Sequence, residues 1–388
     1  MKKALPATHT SMMRYAVLSI SLIITTGPAV SSALPLMAKN FPNISLAMID
    51  MIATVQQFTI MIFLLISGSI AKKIGIKPTI AIGLIITGVA GIFPVFSQSF
   101  VAIFISRLLL GVGIGLFNSL AITVIDLLFT GNDKAQMLGN RSAMEQLGVC
   151  ILNLVVGLLL LINWHMAFLI YALAFPIMIF FWRYVPEPRV NKESKETHQK
   201  INMAVVWLAL LLFFLVMCST AIIVQIPNII VRGSLGSATT ASLIISLNTL
   251  AGMAMGFLFG RIYKVVSDMT LPIGTFLMAM GAILIGMGGN LYIVSLGTIL
   301  CGFSYPLAGT YAFNLLSKIA PQGSETLGNS VLLIGCNLGS FISPIGVRIL
   351  AKISGNAFIG MFIVLLVVTG GILVFQWASK HVSKMKKV

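Results

Sequence analysis

Long apolar runs separated by short polar breaks recur along the whole chain. Each run is about 20 residues or longer, the length an α-helix needs to cross a hydrocarbon layer about 30 Å thick. Twelve such runs occur, at roughly 15–37, 46–71, 78–97, 100–129, 136–161, 165–186, 202–227, 237–264, 271–288, 290–317, 324–350 and 355–379. The breaks are short and are marked by Gly, Pro, Asn or charged residues. One break is long: Glu187–Lys200, EPRVNKESKETHQK, divides the chain near its middle. The pattern predicts an all-α integral membrane protein with twelve transmembrane helices. It predicts two six-helix bundles, 1–186 and 202–388, joined by a linker at 187–201.

The runs also repeat. Gly111 and Gly148 frame the fourth and fifth runs, and Gly302 and Gly339 frame the tenth and eleventh with the same separation. LeuGlyAsn occurs at 138–140 and 327–329, each time before a LeuGly pair, Leu147–Gly148 and Leu338–Gly339. The landmarks keep their order, so the halves read as parallel copies about 190 residues apart. That makes the two bundles pseudo-symmetric.

Composition agrees with lipid as the solvent. The chain has 388 residues, 58% of them hydrophobic and 9% charged, where a soluble domain carries about 25% charged residues. Its mean hydropathy is +1.04. A net charge of +16 raises the question of nucleic acid, but that partner needs a basic face on a soluble domain, and none is present. With the N-terminus placed in the cytoplasm, most Lys and Arg fall at cytoplasmic helix ends, as the positive-inside rule requires. Both termini and the linker are then cytoplasmic. The first run is too long for a cleaved signal segment and reads as a retained helix. Cys150, Cys218, Cys301 and Cys336 lie within apolar runs without metal-ligand spacing, so neither disulfides nor a metal site is expected. No G-x-x-x-x-G-K-(S/T) occurs, which excludes ATP as the energy source by that motif. No enzyme activity and no cofactor are expected.

Two charges stand deep in apolar runs, Arg107 and Glu145. An ionisable group at bilayer depth costs roughly 2.5–3.5 kcal/mol on insertion scales. Arg107 lies about 10 Å below one end of its helix at 1.5 Å per residue. Asn118, eleven residues on, returns to the same helical face. This stripe either lines a cavity, where Arg107 meets a carboxylate or an anionic substrate, or it packs helices with Arg107 capping backbone carbonyls. Glu145 is either a proton carrier, loaded and released as its surroundings change, or the partner of Arg141 four residues earlier. The repeat places Thr298 opposite Arg107 and Cys336 opposite Glu145, so the deep charges belong to the first half alone. Asp126 is expected to latch the inner side against Lys72 or Lys73, or to be an ordinary interfacial acid. Asp268 reads as interfacial.

Local runs carry a family resemblance. Gly68-Ser-Ile-Ala-Lys72-Lys73-Ile-Gly75-Ile-Lys77, Arg107-Leu-Leu-Leu-Gly111-Val-Gly113, Trp164-His-Met-Ala-Phe168-Leu-Ile-Tyr171 and Asn337-Leu-Gly-Ser-Phe-Ile-Ser-Pro344 resemble segments of the major facilitator superfamily. The helix-4 run resembles its drug/proton antiporter branch. Lys72 stands where the family's loop signature has an aspartate, and 148–157 lacks the exporters' proline. The resemblance implies a secondary transporter working by alternating access. Its gating loop would hold Gly68, Lys72, Lys73, Gly75 and Lys77. Its midplane substrate site would draw on Arg107, Asn118, Thr25, Gln56, Gln225, Asn248, Tyr305 and Asn337. Proton coupling would fall to Glu145, Arg107 and Asp126. The expected function is proton-coupled efflux of small amphiphilic or hydrophobic compounds, against uptake of a small anionic solute or lipid translocation. The expected partners are a small-molecule substrate, protons and the lipid bilayer, with the chain a monomer in a bacterial plasma membrane.

Overall fold

A computed structural model of the chain describes residues 7–24, 28–129, 131–188, 201–321 and 325–385. Among these residues the regular structure is helical throughout. Eleven stretches are long and apolar enough to cross a membrane, and the longest, Ala238–Met287, holds two helices. Twelve membrane helices result, as the apolar runs predict. They are α1 (Ser11–Asn40), α2 (Leu46–Ile74), α3 (Ile76–Ile92), α4 (Phe100–Leu128), α5 (Gly131–Leu159) and α6 (Trp164–Tyr184). The second set is α7 (Met203–Arg232), α8 (Ala238–Val266), α9 (Thr270–Met287), α10 (Leu291–Ile319), α11 (Glu325–Ser354) and α12 (Ala357–Met385). Two of them contain 3-10 segments. α1 includes a 3-10 segment at Pro28–Ala33, and the first ten residues of α6 are 3-10.

Polar residues at the breaks set where helices begin. The side chains of Ser99, Asn163, Asn202 and Asn290 accept from backbone N–H groups in the first turns of α4, α6, α7 and α10. Each satisfies a donor that has no partner within its helix. At the start of α3, Gly75 adopts a φ of +101°, which favours glycine. Both Glu187 oxygens then reach the next two amides, Ile76 N at 2.7 Å and Lys77 N at 3.1 Å. A carboxylate at a helix N-terminus also suits the helix dipole.

The chain divides into two compact units. One contains residues 1–198 with 237–246, and the other 199–236 with 247–388. Within each unit, glycines bring helices to backbone contact. A Cβ on Gly111 of α4 would fall on the Gln56 carbonyl and Thr59 Oγ1 of α2. A Cβ on Gly302 of α10, 191 positions later, would fall on the Asn248 carbonyl of α8. Gly148 of α5 meets the backbone of Leu22 in α1, with Cα and O both at 3.0 Å from the added carbon. Its counterpart Gly339 of α11 meets the carbonyl of Phe213 in α7, and Leu22 and Phe213 are themselves 191 positions apart. The repeated glycines are thus the contact points of equivalent helix pairs. In lipid no hydrophobic force drives helices together, so close packing at small residues does that work.

Gly111→Ala is therefore expected to lower the unfolding temperature of the purified protein, by an overpacking cost of about 1–3 kcal/mol. Gly256→Ala serves as the control, because nothing lies within 4 Å of a Cβ at that position. Equal melting of the two variants would refute the contact.

Candidate functional site

Helix α4 carries the residues of interest at three levels. At the lowest, Arg107 is 1% exposed. Its Nη2 donates to the carbonyls of Ala90, at 3.0 Å, and Gly91, at 2.9 Å. The guanidinium carbon stands 4.8 Å from the Phe168 ring centre and 5.0 Å from that of Tyr171, both on α6. The reason lies in α3. In an uninterrupted helix the Ala90 carbonyl would accept from residue 94, but Pro94 has no N–H. Arg107 supplies the missing donor and places a cation at a helix C-terminus. A desolvated guanidinium over aromatic faces gains roughly 2 kcal/mol. Through Nη2 Arg107 caps the end of α3, while its Nε and Nη1 are buried without a hydrogen-bond partner.

Midway along α4, Gly111 and Gly115 abut α2, while Gly113 abuts Gly83 and Thr87 of α3. Thr59 Oγ1 donates across to the Leu108 carbonyl at 2.8 Å. Ser67 and Ser119 hydroxyls join at 2.8 Å.

At the upper level, Asn118 meets α5. Arg141 Nη2 donates to Asn118 Oδ1 at 3.4 Å and lies 2.6 Å from Glu145 Oε1. The side chains of Arg141 and Glu145 are 13% and 21% exposed. Asn118, Arg141 and Glu145 form one polar chain across α4 and α5, and Arg107 has no part in it. The expected Arg107–Asn118 stripe needs correction here. Eleven residues align two Cα positions in angle but separate them by about 16 Å along the axis. Each level then meets a different neighbour, α3 and α6 below, α5 above.

The other expected residues are spread out. Gln56 is 2% exposed and its Nε2 donates to the Ala53 carbonyl at 3.4 Å. Asp126 is exposed, as are Lys72 and Lys73 at the corresponding end of α2. Lys77 Nζ lies 4.8 Å over the Trp182 ring. Open space surrounds a Cβ at Gly68. In the second unit, Gln225 accepts from Asn228 at 3.4 Å, Asn248 Nδ2 donates to the Thr298 carbonyl at 2.6 Å, and Asn337 Nδ2 donates to the Leu333 carbonyl at 2.8 Å. Tyr305 packs 3.7 Å from a Cβ placed on Gly309. Thr25 and linker residues 189–200 lie outside the described residues.

Two further acids are placed by the structure. Glu187 opens the linker, yet it caps α3 inside the loop where the usual aspartate is replaced by Lys72. Asp50 is 4% exposed near the start of α2. Its signal is in the sequence: it is an acid placed among apolar residues.

Residues 16–227, more than half of the chain, match the family model of the Major Facilitator Superfamily. The chain belongs to the major facilitator superfamily. It is a multi-pass membrane transporter of that family. Solved structures of similar fold include the peptide transporter POT in complex with sulfate, 14% identical with a TM-score of 0.74, covering 94% of each chain. A bacterial homologue of the human lysosomal transporter Spinster is 14% identical, with a TM-score of 0.74 and 96% of each chain covered. The human organic anion transporter MFSD10 (TETRAN) is 14% identical, with a TM-score of 0.68, covering 95% of this chain and all of the other. At such identities the likeness is one of fold. No curated protein matches the chain in sequence.

If Arg107 answers the donor missing at Pro94, the two positions are coupled. Arg107→Met is expected to destabilise the protein by several kcal/mol, as removal of one partner of a buried charged contact does. The same change in a Pro94→Ala background should cost less, by about 1–2 kcal/mol in a double-mutant cycle read by thermal or denaturant unfolding. Additive effects would remove the link.

Proposed function

We propose that this major facilitator is a proton-coupled exporter of small amphiphilic or hydrophobic compounds, working by alternating access with both termini in the cytoplasm. The polar chain Asn118–Arg141–Glu145 carries the reading. It holds an acid and a cation at membrane depth, both partly exposed and paired with each other. Counterpart positions in the second unit are Gly309, Leu332 and Cys336. Leu332 belongs there to an apolar core with Leu208, Leu212 and Leu316. The same helix packing therefore forms without the charges, and structure alone does not require them.

The mechanism follows from the pair. While Arg141 holds Glu145, the carboxylate is ionised. A conformational change that parts them leaves a charge at membrane depth, a costly state that uptake of a proton relieves. Re-forming the pair expels the proton. Asn118 fixes Arg141 from the neighbouring helix, so motion between α4 and α5 is felt at Glu145. The resemblance of the Arg107–Gly113 run to exporters supports the outward direction. Uptake of an anion through Arg107 has less support, because that guanidinium is fully buried and its Nη2 is held by two carbonyls.

In proteoliposomes tested against a panel of amphiphilic compounds, the wild type is expected to show substrate-dependent proton flux. Glu145→Gln should reduce it at least about a hundredfold, in line with loss of a group that transfers the proton, while melting within a few degrees of wild type. Unchanged flux in Glu145→Gln would overturn the coupling role.

A further inference from the structure

In the first unit α3 and α6 lie side by side. Between them runs a groove of about 630 Å³ that Asn118, Arg141 and Glu145 do not line. Ala81, Ile82 and Ile85 of α3 and Ile179, Trp182 and Arg183 of α6 do. Ile82, Ile85 and Ile179 are exposed, so the groove opens on the surface that lipid covers. One end of it is basic. Arg183 stands in the last turn of α6 and Lys77 in the first turn of α3. The Lys77 ammonium lies over the Trp182 ring, 4.8 Å from its centre. Among the described residues neither base is ion-paired. Glu187 gives both carboxylate oxygens to the Ile76 and Lys77 amides and does not line the groove. Two stretches whose side chains lie outside the described ones, 1–10 and 189–200, are net basic. The first has Lys2 and Lys3, and the second has Arg189, Lys192, Lys195 and Lys200 against Glu193 and Glu196. The duplicated fold does not require the basic end, because the positions 191 after Lys77 and Arg183 are Asp268 and Val374.

We propose that this groove binds an anionic phospholipid, with an acyl chain along the isoleucines and the headgroup phosphate at Lys77 and Arg183. The volume is that of pockets that hold a ligand body, about 300–1,000 Å³. A groove that opens on lipid takes its occupant from lipid. Arg183 offers the phosphate a planar fork of donors and Lys77 a point charge. Trp182 stands where the apolar length meets the basic end, the level that amphipathic indoles favour in a membrane. A zwitterionic lipid brings its own cation beside the phosphate and gains less from two more bases. A second copy of this chain fits worse, since a two-fold contact across the groove would bring two basic ends together. Lys77 also belongs to the turn that opens α3. Glu187 holds its amide while its ammonium stands at the groove, so the lipid binds beside the loop between α2 and α3. The site does not rest on the proposed transport.

The test uses the full chain, freed of lipid in a neutral detergent. It is titrated with phosphatidylglycerol or with phosphatidylcholine of the same acyl chains, and bound lipid is counted by native mass spectrometry. One phosphatidylglycerol is expected to bind about twentyfold tighter than phosphatidylcholine, from about fivefold for each basic residue at the headgroup. Lys77→Gln with Arg183→Gln should remove that preference. Arg261→Gln with Lys264→Gln takes away two exposed bases that do not line the groove, and should keep it. Glycerophosphoglycerol, the headgroup without acyl chains, should not displace the lipid at equal concentration. Equal binding of the two lipids by the wild type would overturn the site. So would a preference kept by the Lys77/Arg183 variant, or one lost equally in the Arg261/Lys264 variant, which would mean attraction by overall charge. Displacement by the bare headgroup would mean a phosphate site without an acyl groove and would overturn it as well.

Discussion

The bilayer removes the force that assembles soluble helices, and the structure rests on what replaces it. Apolar side chains gain nothing by leaving lipid for one another, so helices hold together by van der Waals contact and by satisfied polar groups. Contact at backbone distance requires residues without a side chain. Gly111, Gly148, Gly302 and Gly339 provide it, each against the carbonyl or Cα of the helix two or four positions away in order. Because Gly111 seats α4 on α2, Arg107 one turn below arrives at the end of α3. Asn118, two turns above, arrives beside α5. The functional candidates owe their places to that contact.

These glycines also explain how much of the fold is legible in the sequence. Run lengths define the membrane helices because a bilayer sets a minimum length. The repeat shows because a site of backbone contact tolerates no substitution by bulk, so its glycine stands out in both copies. Side-chain direction is less legible. Periodicity places Arg107 and Asn118 on one face, but a long arginine side chain leaves the direction of its own Cα, and neighbours change over about 16 Å. Glu187 caps a helix 111 positions away from it, a relation no local pattern encodes. Asp268 looks like an interfacial acid until α10 and α12 bring Tyr311 and Gln376 to it.

The two copies disagree in charge, and the disagreement has two different causes. Arg107 faces Thr298 in the repeat. In the first copy Arg107 donates to the Ala90 carbonyl, which Pro94 leaves without its helical donor. The position 191 after Pro94 is Ile285, which lies within α9 and has its N–H. The second copy needs no substitute donor, and Thr298 instead donates to Val294 of its own helix at 2.7 Å. The arginine thus stands in the copy that has the proline.

No such local cause exists for Glu145. Its counterpart Cys336 and the counterpart of Arg141, Leu332, sit in an equivalent pair of helices that packs with apolar residues. Replacing a membrane-buried ion pair by apolar residues of similar volume is often neutral or stabilising. The first unit therefore keeps a costly arrangement that its twin does without. That cost is what supports the proposed coupling role of the Arg141–Glu145 pair. In the second unit Asp268 lies outside the helix pair, at the turn between α8 and α9, where Tyr311 and Gln376 reach it. Two copies of one helix pair thus differ in a polar chain that the packing itself does not call for.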